Sequence, residues 1–187
     1  MIVESSGNLL DSPAEALVNA VNCVGVMGKG IALQFAKAFP SNLLAYQTAC
    51  RRKEVEPGKM FVTRNPNLTG PEWIINFPTK RHWKGWSRLD DVASGLTALT
   101  ASIQEHNIRS IAVPPLGCGN GGLNWADVRP LIEEAFAALP SVKVFLFSPM
   151  GASKAAAMPN KTKRPKVTDT AVSSSKPKGG WHDSVHR

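Results

Sequence analysis

The 187-residue sequence predicts an α/β fold, a three-layer α/β/α sandwich around a mixed, mostly parallel sheet. Two observations predict this fold class. Short apolar runs alternate along the chain with longer segments in which apolar residues recur every three or four positions. Two of the apolar runs are also followed by glycine-rich loops that lead into helical patterns, which is typical of a parallel sheet with crossover helices.

Each element is predicted from its local pattern. The strand segments are short and apolar, and they lie at 17–21, 60–64, 73–77, 111–113 and 142–147. The helical segments carry apolar residues along one face, and they lie at about 31–39, 41–52, 88–106 and 125–139. For the second helix we expect Ser41 or Asn42 as the N-cap, and for the third we expect a capping box formed by Ser87 and Asp90.

The net charge of +8 is unevenly distributed along the chain. Residues 151–187 hold eight lysines and arginines against two aspartates, a charge of +6, whereas residues 1–150 hold fourteen cations against twelve carboxylates, a charge of +2. The apolar periodicity also stops at the same point. We therefore expect a folded domain over 1–150 and a basic, disordered tail over 151–187. The tail is interpreted either as a solvated linker or as an electrostatic tether to nucleic acid.

The composition disfavours several classes of protein. No apolar run approaches the roughly 20 residues that span a bilayer, and the first residues lack the layout of a signal peptide, so we expect a cytoplasmic protein without membrane association. Cys23, Cys50 and Cys118 are odd in number and lack the spacing of metal ligands, so we expect neither disulfides nor a metal site. No cofactor is predicted, and a monomer is expected.

The first glycine-rich loop spans residues 19–30 and follows the first predicted strand. Its glycines allow the backbone to approach a ligand closely, and the following helix presents free N–H groups to an anion. The spacing matches neither the dinucleotide-binding glycine motif nor the Walker A motif. The loop therefore indicates phosphate binding, and a purely structural tight turn is the alternative.

The second glycine-rich loop spans residues 114–123 and has four glycines within six residues. It indicates a second backbone cradle for phosphate oxygens, and the two loops are expected at the same edge of the sheet. Two cradles suit a diphosphate, and neither loop carries the magnesium-binding hydroxyl of an NTPase. We therefore predict binding of a nucleoside diphosphate sugar without a metal. Cys118 is interpreted as a small packed residue rather than a nucleophile.

A third segment, residues 80–88, combines four cations and two tryptophans within nine residues. Cations contact phosphates and indoles stack on bases, so the segment predicts a surface for single-stranded nucleic acid. The candidate residues are Arg81, His82, Trp83, Lys84, Trp86 and Arg88. The alternative is a solvated loop whose tryptophans cover the edge of the core. Lys80 is a candidate amine nucleophile because the nearby Arg81 and Lys84 disfavour its ammonium form.

Together these segments resemble the macrodomain family. Four motifs carry the resemblance, in this order: GNLL at 7–10, ALVNAVNCVGVMGKGIALQFAKAFP at 16–40, INFPTKRHW at 75–83 and PPLGCGNGGLNW at 114–125. The resemblance covers about residues 1–150. Within the family, the chain is most similar to antitoxin macrodomains that are paired with a DNA ADP-ribosyltransferase toxin.

The resemblance implies an ADP-ribose site. The residues implied in binding are Asn8, Leu9, Asn19, Asn22, Val26, Gly28, Lys29, Gly30, Ile31, Leu116, Gly117, Cys118, Gly119, Asn120, Gly121, Gly122 and Leu123. Asn8 stands where the family commonly has an adenine-binding aspartate, and Asn22 would face the distal ribose. Lys80 stands where related glycohydrolases have the lysine that attacks the anomeric carbon. The implied function is removal of ADP-ribose from thymidine in single-stranded DNA, with the toxin as a partner.

The sequence departs from the family pattern in two places. Related glycohydrolases have an aspartate in the second loop that helps to resolve the lysyl intermediate, and the position near Gly121 has no carboxylate. Residues 151–187 are also too short and too polar for the toxin-binding domain that such antitoxins usually carry. Two alternatives therefore stand beside the DNA-directed glycohydrolase: a reader of ADP-ribose without catalysis, and a hydrolase of glutamyl esters on proteins.

Overall fold

The computed structural model describes residues 1–149, and within them the chain forms six strands and four α-helices. In chain order these are β1 (Ile2–Ser5), β2 (Ala16–Val21), α1 (Gly30–Ala38), α2 (Pro40–Arg51), β3 (Phe61–Arg64), β4 (Trp73–Pro78), α3 (Leu89–Glu105), β5 (Ser110–Val113), α4 (Trp125–Ala137) and β6 (Lys143–Phe147). A short 3₁₀ turn, Leu9–Asp11, follows β1. The predicted basic tail lies outside the described residues.

The six strands form one sheet in the order β1-β6-β5-β2-β4-β3. Strand β3 pairs antiparallel with β4, and all other neighbours are parallel. The predicted mixed, mostly parallel sheet is therefore confirmed. Because β2, β4 and β5 run in the same direction, their carboxyl ends lie at one edge of the sheet. The two glycine-rich loops and the 80–88 segment all begin at that edge.

Side chains alternate between the two faces of the sheet, and each face is covered by a pair of helices. On one face, Val18 and Ile75 are fully buried in a cluster with residues of α3 and α4. On the other face, Leu17 and Ile74 pack with Phe35 of α1, and α2 covers the adjacent end of β2. Burying both faces removes the apolar strand residues from water, which stabilises the predicted three-layer sandwich.

The sequence analysis missed β1 and misplaced the start of α2. Strand β1 is a four-residue edge strand with only partial burial, so its apolar pattern is too short to be distinctive. Helix α2 starts at Pro40, and Phe39 rather than Ser41 or Asn42 is its N-cap. Proline suits the first helical position because its fixed φ is already helical and its missing N–H would have no partner there.

The predicted capping box of α3 is also wrong. Arg88 is the N-cap of this helix, and no side chain caps it. Ser87 instead turns toward the second glycine-rich loop, where its buried hydroxyl has no hydrogen-bond partner. Asp90 and Asp91 lie in the first turn of α3, where a carboxylate interacts favourably with the helix dipole.

The structure bears on the membrane, metal and disulfide expectations within residues 1–149. Among the helices of residues 1–149, none has the length and hydropathy needed to cross a bilayer. Within the same range, no three His, Cys, Asp or Glu side chains are grouped so that they could hold a metal ion. Cys23, Cys50 and Cys118 all carry free thiols.

Candidate active site

The first glycine-rich loop connects β2 to α1 and folds around the buried side chain of Asn22. The Oδ1 atom of Asn22 accepts hydrogen bonds from the N–H groups of Val24 at 3.0 Å and Val26 at 3.4 Å. Its Nδ2 atom donates to the carbonyl oxygen of Val26 at 2.6 Å. The amide therefore sets the turn of the loop, so its direct contact with the distal ribose stays a prediction.

Tyr46 of α2 also holds the first loop, through a hydrogen bond to its backbone. Its hydroxyl donates to the carbonyl oxygen of Asn22 at 2.7 Å, and its ring is completely buried. Burial raises the pKa of Tyr46 well above its ordinary value, so the hydroxyl stays a neutral donor at physiological pH. A buried donor and a buried amide thus hold the first loop in shape.

The second glycine-rich loop connects β5 to α4 and is held by backbone hydrogen bonds. The N–H of Gly122 donates to Gly119 at 3.1 Å, and the N–H of Leu123 donates to Gly117 at 3.0 Å. Gly117 and Gly122 have φ angles of 72° and 75°, in the left-handed region that favours glycine. The glycines therefore allow the tight fold of this loop, as the sequence pattern predicts.

Lys80 extends from the end of β4 to the second loop. Its Nζ atom donates to the backbone carbonyl oxygen of Asn120 at 3.0 Å. Burial lowers the pKa of the Lys80 ammonium below its ordinary value, which increases the fraction of neutral, nucleophilic amine. The amine therefore lies at the second loop, and its attack on the anomeric carbon stays a prediction.

The direction of this pKa shift agrees with the prediction, but the predicted cause is wrong. The sequence argument attributed the shift to the charges of Arg81 and Lys84, whereas burial of Lys80 is what lowers its pKa. Arg81 forms a two-point ion pair with Asp91 of α3, at 2.6 Å and 3.2 Å. That pairing offsets the guanidinium charge beside Lys80.

The two loops approach each other where Lys80 meets them. A side chain added at Gly30 would place its Cβ atom 3.2 Å from the Nδ2 atom of Asn120. The amide of Asn120 therefore lies over the first residue of α1, next to the carbonyl group that holds Lys80. The predicted meeting of both loops and Lys80 at one edge of the sheet is present in the fold.

The 80–88 segment packs directly against the second loop. The N–H of Ser87 donates to the carbonyl oxygen of Gly121 at 3.0 Å. A Cβ atom at Gly121 would collide with the Ser87 hydroxyl and with the carbonyl oxygen of Gly117. The position of Gly121 therefore has no room for the side chain of the aspartate that related glycohydrolases have near it.

The outer part of the 80–88 segment exposes aromatic and cationic side chains. Trp83 is 47% exposed and Trp86 is 78% exposed, so neither indole covers the edge of the core. The ring of His82 lies 5.5 Å from that of Trp83, and Nζ of Lys84 lies 5.0 Å from the centroid of Trp83. The segment thus presents two indoles and a cation to solvent.

The two arginines predicted to contact DNA are both paired with carboxylates. Arg81 is bonded to Asp91, which is mostly buried, and its carbonyl oxygen accepts the N–H of Cys23 at 3.2 Å. Arg88 lies 3.9 Å from Asp90 in a largely exposed pair. Arg81 therefore anchors the segment to α3 and to the first loop, which is a structural role that the sequence analysis missed.

Asn19, which the resemblance implies in ligand binding, belongs to a buried hydrogen-bond network, and its contact with ADP-ribose stays a prediction. It is completely buried, and its Nδ2 atom donates to Oδ1 of Asn76 at 3.0 Å. Asn76 in turn donates to Oδ1 of Asn42 at 2.7 Å, and Thr63 donates to the same Oδ1 atom at 2.7 Å. These residues tie β2, β4, α2 and β3 together behind the site. The sequence feature that could have indicated this buried network is an asparagine within each of two apolar strands.

The other implied ligand contacts differ in accessibility. The side chains of Leu9 and Leu116 are buried, so only their backbone groups are available to a ligand. Asn8 is exposed, and its Oδ1 atom accepts the N–H of Leu10 at 3.2 Å. Exposed or partly exposed positions include Val26, Gly28, Lys29, Gly30, Ile31, Cys118, Gly119, Asn120, Gly122 and Leu123, whereas Gly117 and Gly121 are buried.

The cysteine thiols near the loops are not activated. Burial raises the pKa of Cys23 to about 11 and that of Cys118 to about 12. Both therefore remain protonated at neutral pH, and a protonated thiol is a poor nucleophile. This supports the interpretation of Cys118 as a packed loop residue.

Asn8 also marks a second accessible region near the carboxyl ends of β1 and β6. An open cleft of about 370 Å³ is lined there by Asn8, Asp11, Phe145 and Phe147, together with neighbouring residues. Because Asn8 already uses its Oδ1 atom to cap the 3₁₀ turn, its Nδ2 group is the part of the amide that can face a ligand. The resemblance implies that Asn8 stands at the adenine-binding position, and binding of adenine in this cleft stays a prediction.

Two backbone-lined loops and an amine at the carboxyl edge of an α/β/α sandwich define a macrodomain-type site. The Macro domain family model matches residues 18–132 of the chain. The chain therefore belongs to the macrodomain family.

More particularly, the chain is similar to proteins named DNA ADP-ribosyl glycohydrolase. It is 54% identical to the one from Mycobacterium tuberculosis over 155 residues, which cover 83% of this chain and 44% of that protein. It is 53% identical to the one from Thermus aquaticus over 163 residues, which cover 87% of this chain and 45% of that protein. The chain thus spans less than half the length of these curated relatives.

Solved structures agree with the fold. The macrodomain of Mycobacterium tuberculosis DarG superposes with a TM-score of 0.79 at 54% identity, covering 80% of this chain and 98% of that one. Thermosipho africanus DarTG in complex with ADP-ribose superposes with a TM-score of 0.73 at 35% identity, covering 80% of this chain and 42% of that one.

Proposed function

We propose that this chain is a glycohydrolase that removes ADP-ribose from thymidine in single-stranded DNA, and that it acts as an antitoxin to a DNA ADP-ribosyltransferase. One observation carries the proposal: Nζ of Lys80 lies 3.0 Å from the carbonyl oxygen of Asn120, where the two loops meet. The names of relatives at 53–54% identity support the activity. The name of a Thermosipho africanus relative at 38% identity, which joins a DNA ADP-ribosyl transferase to a glycohydrolase, supports the partner.

The two loops would bind the diphosphate through backbone N–H groups. The first loop is shaped by Asn22 and Tyr46, and its residues from Gly28 to Gly30 are exposed at the start of α1. Backbone donors and the positive end of a helix dipole favour a phosphate oxygen without a metal. The distal ribose then lies between the loops, with its anomeric carbon facing Lys80.

Lys80 would act as the nucleophile in two steps. Its neutral amine attacks the anomeric carbon, an N–C bond forms, and the glycosidic bond to the base breaks. The base leaves with the electron pair of that bond and takes up the proton that the attacking nitrogen loses. Water then attacks the same carbon, the N–C bond breaks, and the proton from water returns to the nitrogen, which releases ADP-ribose and restores the amine of Lys80. The diphosphate next to the ribose stabilises the positive charge that develops on the sugar.

The second step has to proceed without a carboxylate at Gly121. Packing of Ser87 excludes any side chain from that position. A water molecule held by backbone groups of the second loop, or an acid elsewhere in the site, would then resolve the lysyl intermediate. The same closed position favours the second candidate function, a reader that binds ADP-ribose and does not hydrolyse it.

The exposed part of the 80–88 segment would receive the DNA strand. His82, Trp83, Lys84 and Trp86 present aromatic rings and a cation beside Lys80, the combination that binds single strands through stacking and charge. Two exposed indoles favour a nucleotide over a glutamyl ester on a protein. Arg81 and Arg88 would contribute less, because both are paired with carboxylates.

The decisive experiment is release of free ADP-ribose from a thymidine-modified oligonucleotide. We expect wild-type protein to release ADP-ribose and Lys80→Ala to lower the rate by about 10³-fold or more, with the Kd for ADP-ribose within a few-fold. Lys80→Arg is the matched variant, because it keeps the charge and the donor to Asn120 but not the nucleophile, and we expect it to be equally inactive.

Each alternative has its own outcome in this assay. Binding of the modified oligonucleotide without release would establish the reader. Release from a glutamyl-modified peptide, with none from the oligonucleotide, would establish the protein-directed hydrolase. Retained release by Lys80→Ala would remove the covalent role of Lys80.

We also propose that the chain is a cytoplasmic monomer and that its basic tail contributes to DNA association. Residues 151–187 carry a net charge of +6, and each phosphate contact adds to the salt dependence of binding. Deleting these residues should therefore reduce the slope of log affinity against log salt while the Kd for ADP-ribose is unchanged. An unchanged slope would exclude the tail from binding, and sedimentation of the full chain tests the monomer.

A further inference from the structure

We infer that Trp86 stacks on the nucleobase that leaves from ADP-ribose, whereas Trp83 stacks on a neighbouring base of the strand. The inference rests on the proposed function and assigns different substrate positions to two tryptophans that the sequence pattern treats as equivalent. The juxtaposition that carries it is the contact of Lys80 and Trp86 with the same short stretch of the second loop.

Three consecutive residues of that loop are each contacted by the 80–88 segment. Lys80 donates to Asn120 at 3.0 Å, and the Ser87 N–H donates to Gly121 at 3.0 Å. The indole of Trp86 lies against Gly122, since a Cβ atom there would be 2.5 Å from Cε3 of Trp86. The α-carbons of residues 120 and 122 are at most about 7.6 Å apart, so the amine and the indole share one small region.

The chemistry of the substrate requires a base in that region. In an ADP-ribosylated nucleotide, the base is bonded directly to the anomeric carbon that the Lys80 amine attacks. Once that carbon lies next to Nζ, the base therefore lies within about one ring width of the amine. Trp86 is the indole that is anchored beside the amine and is still 78% exposed, so it has surface free for a base.

Trp83 differs from Trp86 in its surroundings. The centroid of its ring lies 5.5 Å from that of His82 and 5.0 Å from Nζ of Lys84. The residue is 47% exposed. A Cβ atom placed at Gly119 would meet nothing within 4 Å, and the atoms nearest to one placed at Gly122 belong to Trp86, not to Trp83. A lysine beside the ring suits a backbone phosphate, so Trp83 fits a flanking nucleotide of the strand rather than the reacting base.

Separate roles for the tryptophans make different predictions for long and short substrates. Stacking on a base is worth about 5- to 100-fold in affinity. Trp86→Leu keeps an apolar side chain against Gly122 but removes the aromatic face. We expect this variant to lower kcat/KM by about 10-fold or more on both a modified oligonucleotide and a modified mononucleotide, with the Kd for free ADP-ribose unchanged within about twofold.

Two further variants complete the comparison. Trp83→Leu should lower kcat/KM on the oligonucleotide by about 5-fold or more, and should have a clearly smaller effect on the mononucleotide. Trp86→Phe should recover most of the activity that Trp86→Leu loses. Leu44→Ala, at an exposed apolar residue of α2, is the control for surface substitution.

Specific outcomes would overturn the assignment. A Trp86→Leu variant with normal activity on the mononucleotide would show that Trp86 does not contact the reacting base. An equal loss of ADP-ribose affinity would show that Trp86 acts only by supporting the loop. If wild-type protein releases no ADP-ribose from either substrate, the proposed function fails. The stacking assignment is then judged by whether Trp86→Leu weakens binding of the modified mononucleotide relative to free ADP-ribose.

Discussion

The two glycine-rich loops lie at the same edge of the sheet, but they are held in shape by different means. The first loop folds around the amide of Asn22 and the hydroxyl of Tyr46, which are both buried. The second loop is held by its own backbone hydrogen bonds and by the 80–88 segment that packs on it.

The two loops also differ in how strongly they depend on the 80–88 segment. Contacts between the 80–88 segment and the first loop are made through Cys23, whereas three successive residues of the second loop touch the segment. The second loop therefore depends on residues more than 30 positions away in the sequence. The segment that we propose to bind DNA also positions the carbonyl group that holds Lys80.

The largest effect on ligand binding is expected from Gly121→Ala. Its methyl group would collide with Ser87 and the Gly117 carbonyl, so the second loop would have to shift. We expect ADP-ribose affinity to fall by at least about 100-fold and the free energy of unfolding to fall by about 1–3 kcal/mol. Gly119→Ala is the matched control, because a Cβ atom there meets nothing within 4 Å. Calorimetric titration and denaturant unfolding measure both quantities, and equal effects of the two variants would contradict the packing argument.

An asparagine in each loop gives the next comparison. Asn22→Ala would leave two part-buried N–H groups and a carbonyl of the first loop without their side-chain partner, so we expect the free energy of unfolding to fall by about 1–3 kcal/mol. Asn120→Ala should cost less than about 1 kcal/mol, because Asn120 is exposed and holds Lys80 through its backbone carbonyl. Urea unfolding of both variants tests this. Similar losses would show that the second loop also depends on a side chain.

The pH dependence of release tests the state of Lys80. Only the neutral amine attacks, so the single-turnover rate should rise about tenfold per pH unit and level off at the pKa of Lys80. Burial lowers that pKa, so the inflection should lie below the ordinary lysine value. Between the lowered pKa and the ordinary one, the unfolded chain binds more protons, so the contribution of Lys80 to stability rises with pH. An inflection at or above the ordinary value would contradict the burial.

The smallest effect is expected where the 80–88 segment is anchored to α3. Asp91→Asn breaks the charged pair with Arg81, and because Arg81 is largely exposed we expect a loss of about 1 kcal/mol in unfolding free energy. Asp90→Asn should cost less, about 0.5 kcal/mol, since its contact with Arg88 is long and exposed and only the interaction of its carboxylate with the dipole of α3 is lost. Thermal unfolding of the two variants in parallel measures the difference.

Much of the site was predictable because each of its loops is a continuous segment of the sequence. The loops at 22–30 and 116–123 could be placed at one edge from the direction of parallel strands alone. Lys80 could be singled out by its motif. The cause of its lowered pKa could not, because the pairing of Arg81 with Asp91 and the depth of the amine depend on how α3 and the second loop pack.

The sequence by itself determined the order of the elements from β2 to β6 and the two glycine-rich loops, because periodicity and glycine spacing are local properties of the chain, and the resemblance to the family indicated Lys80. Only the tertiary structure decided that Asn19 is buried, that Gly121 has no room for a side chain, and that Trp86 rather than Trp83 lies on the second loop. Each of these depends on which atoms of distant segments occupy the same space, and a sequence pattern does not record that.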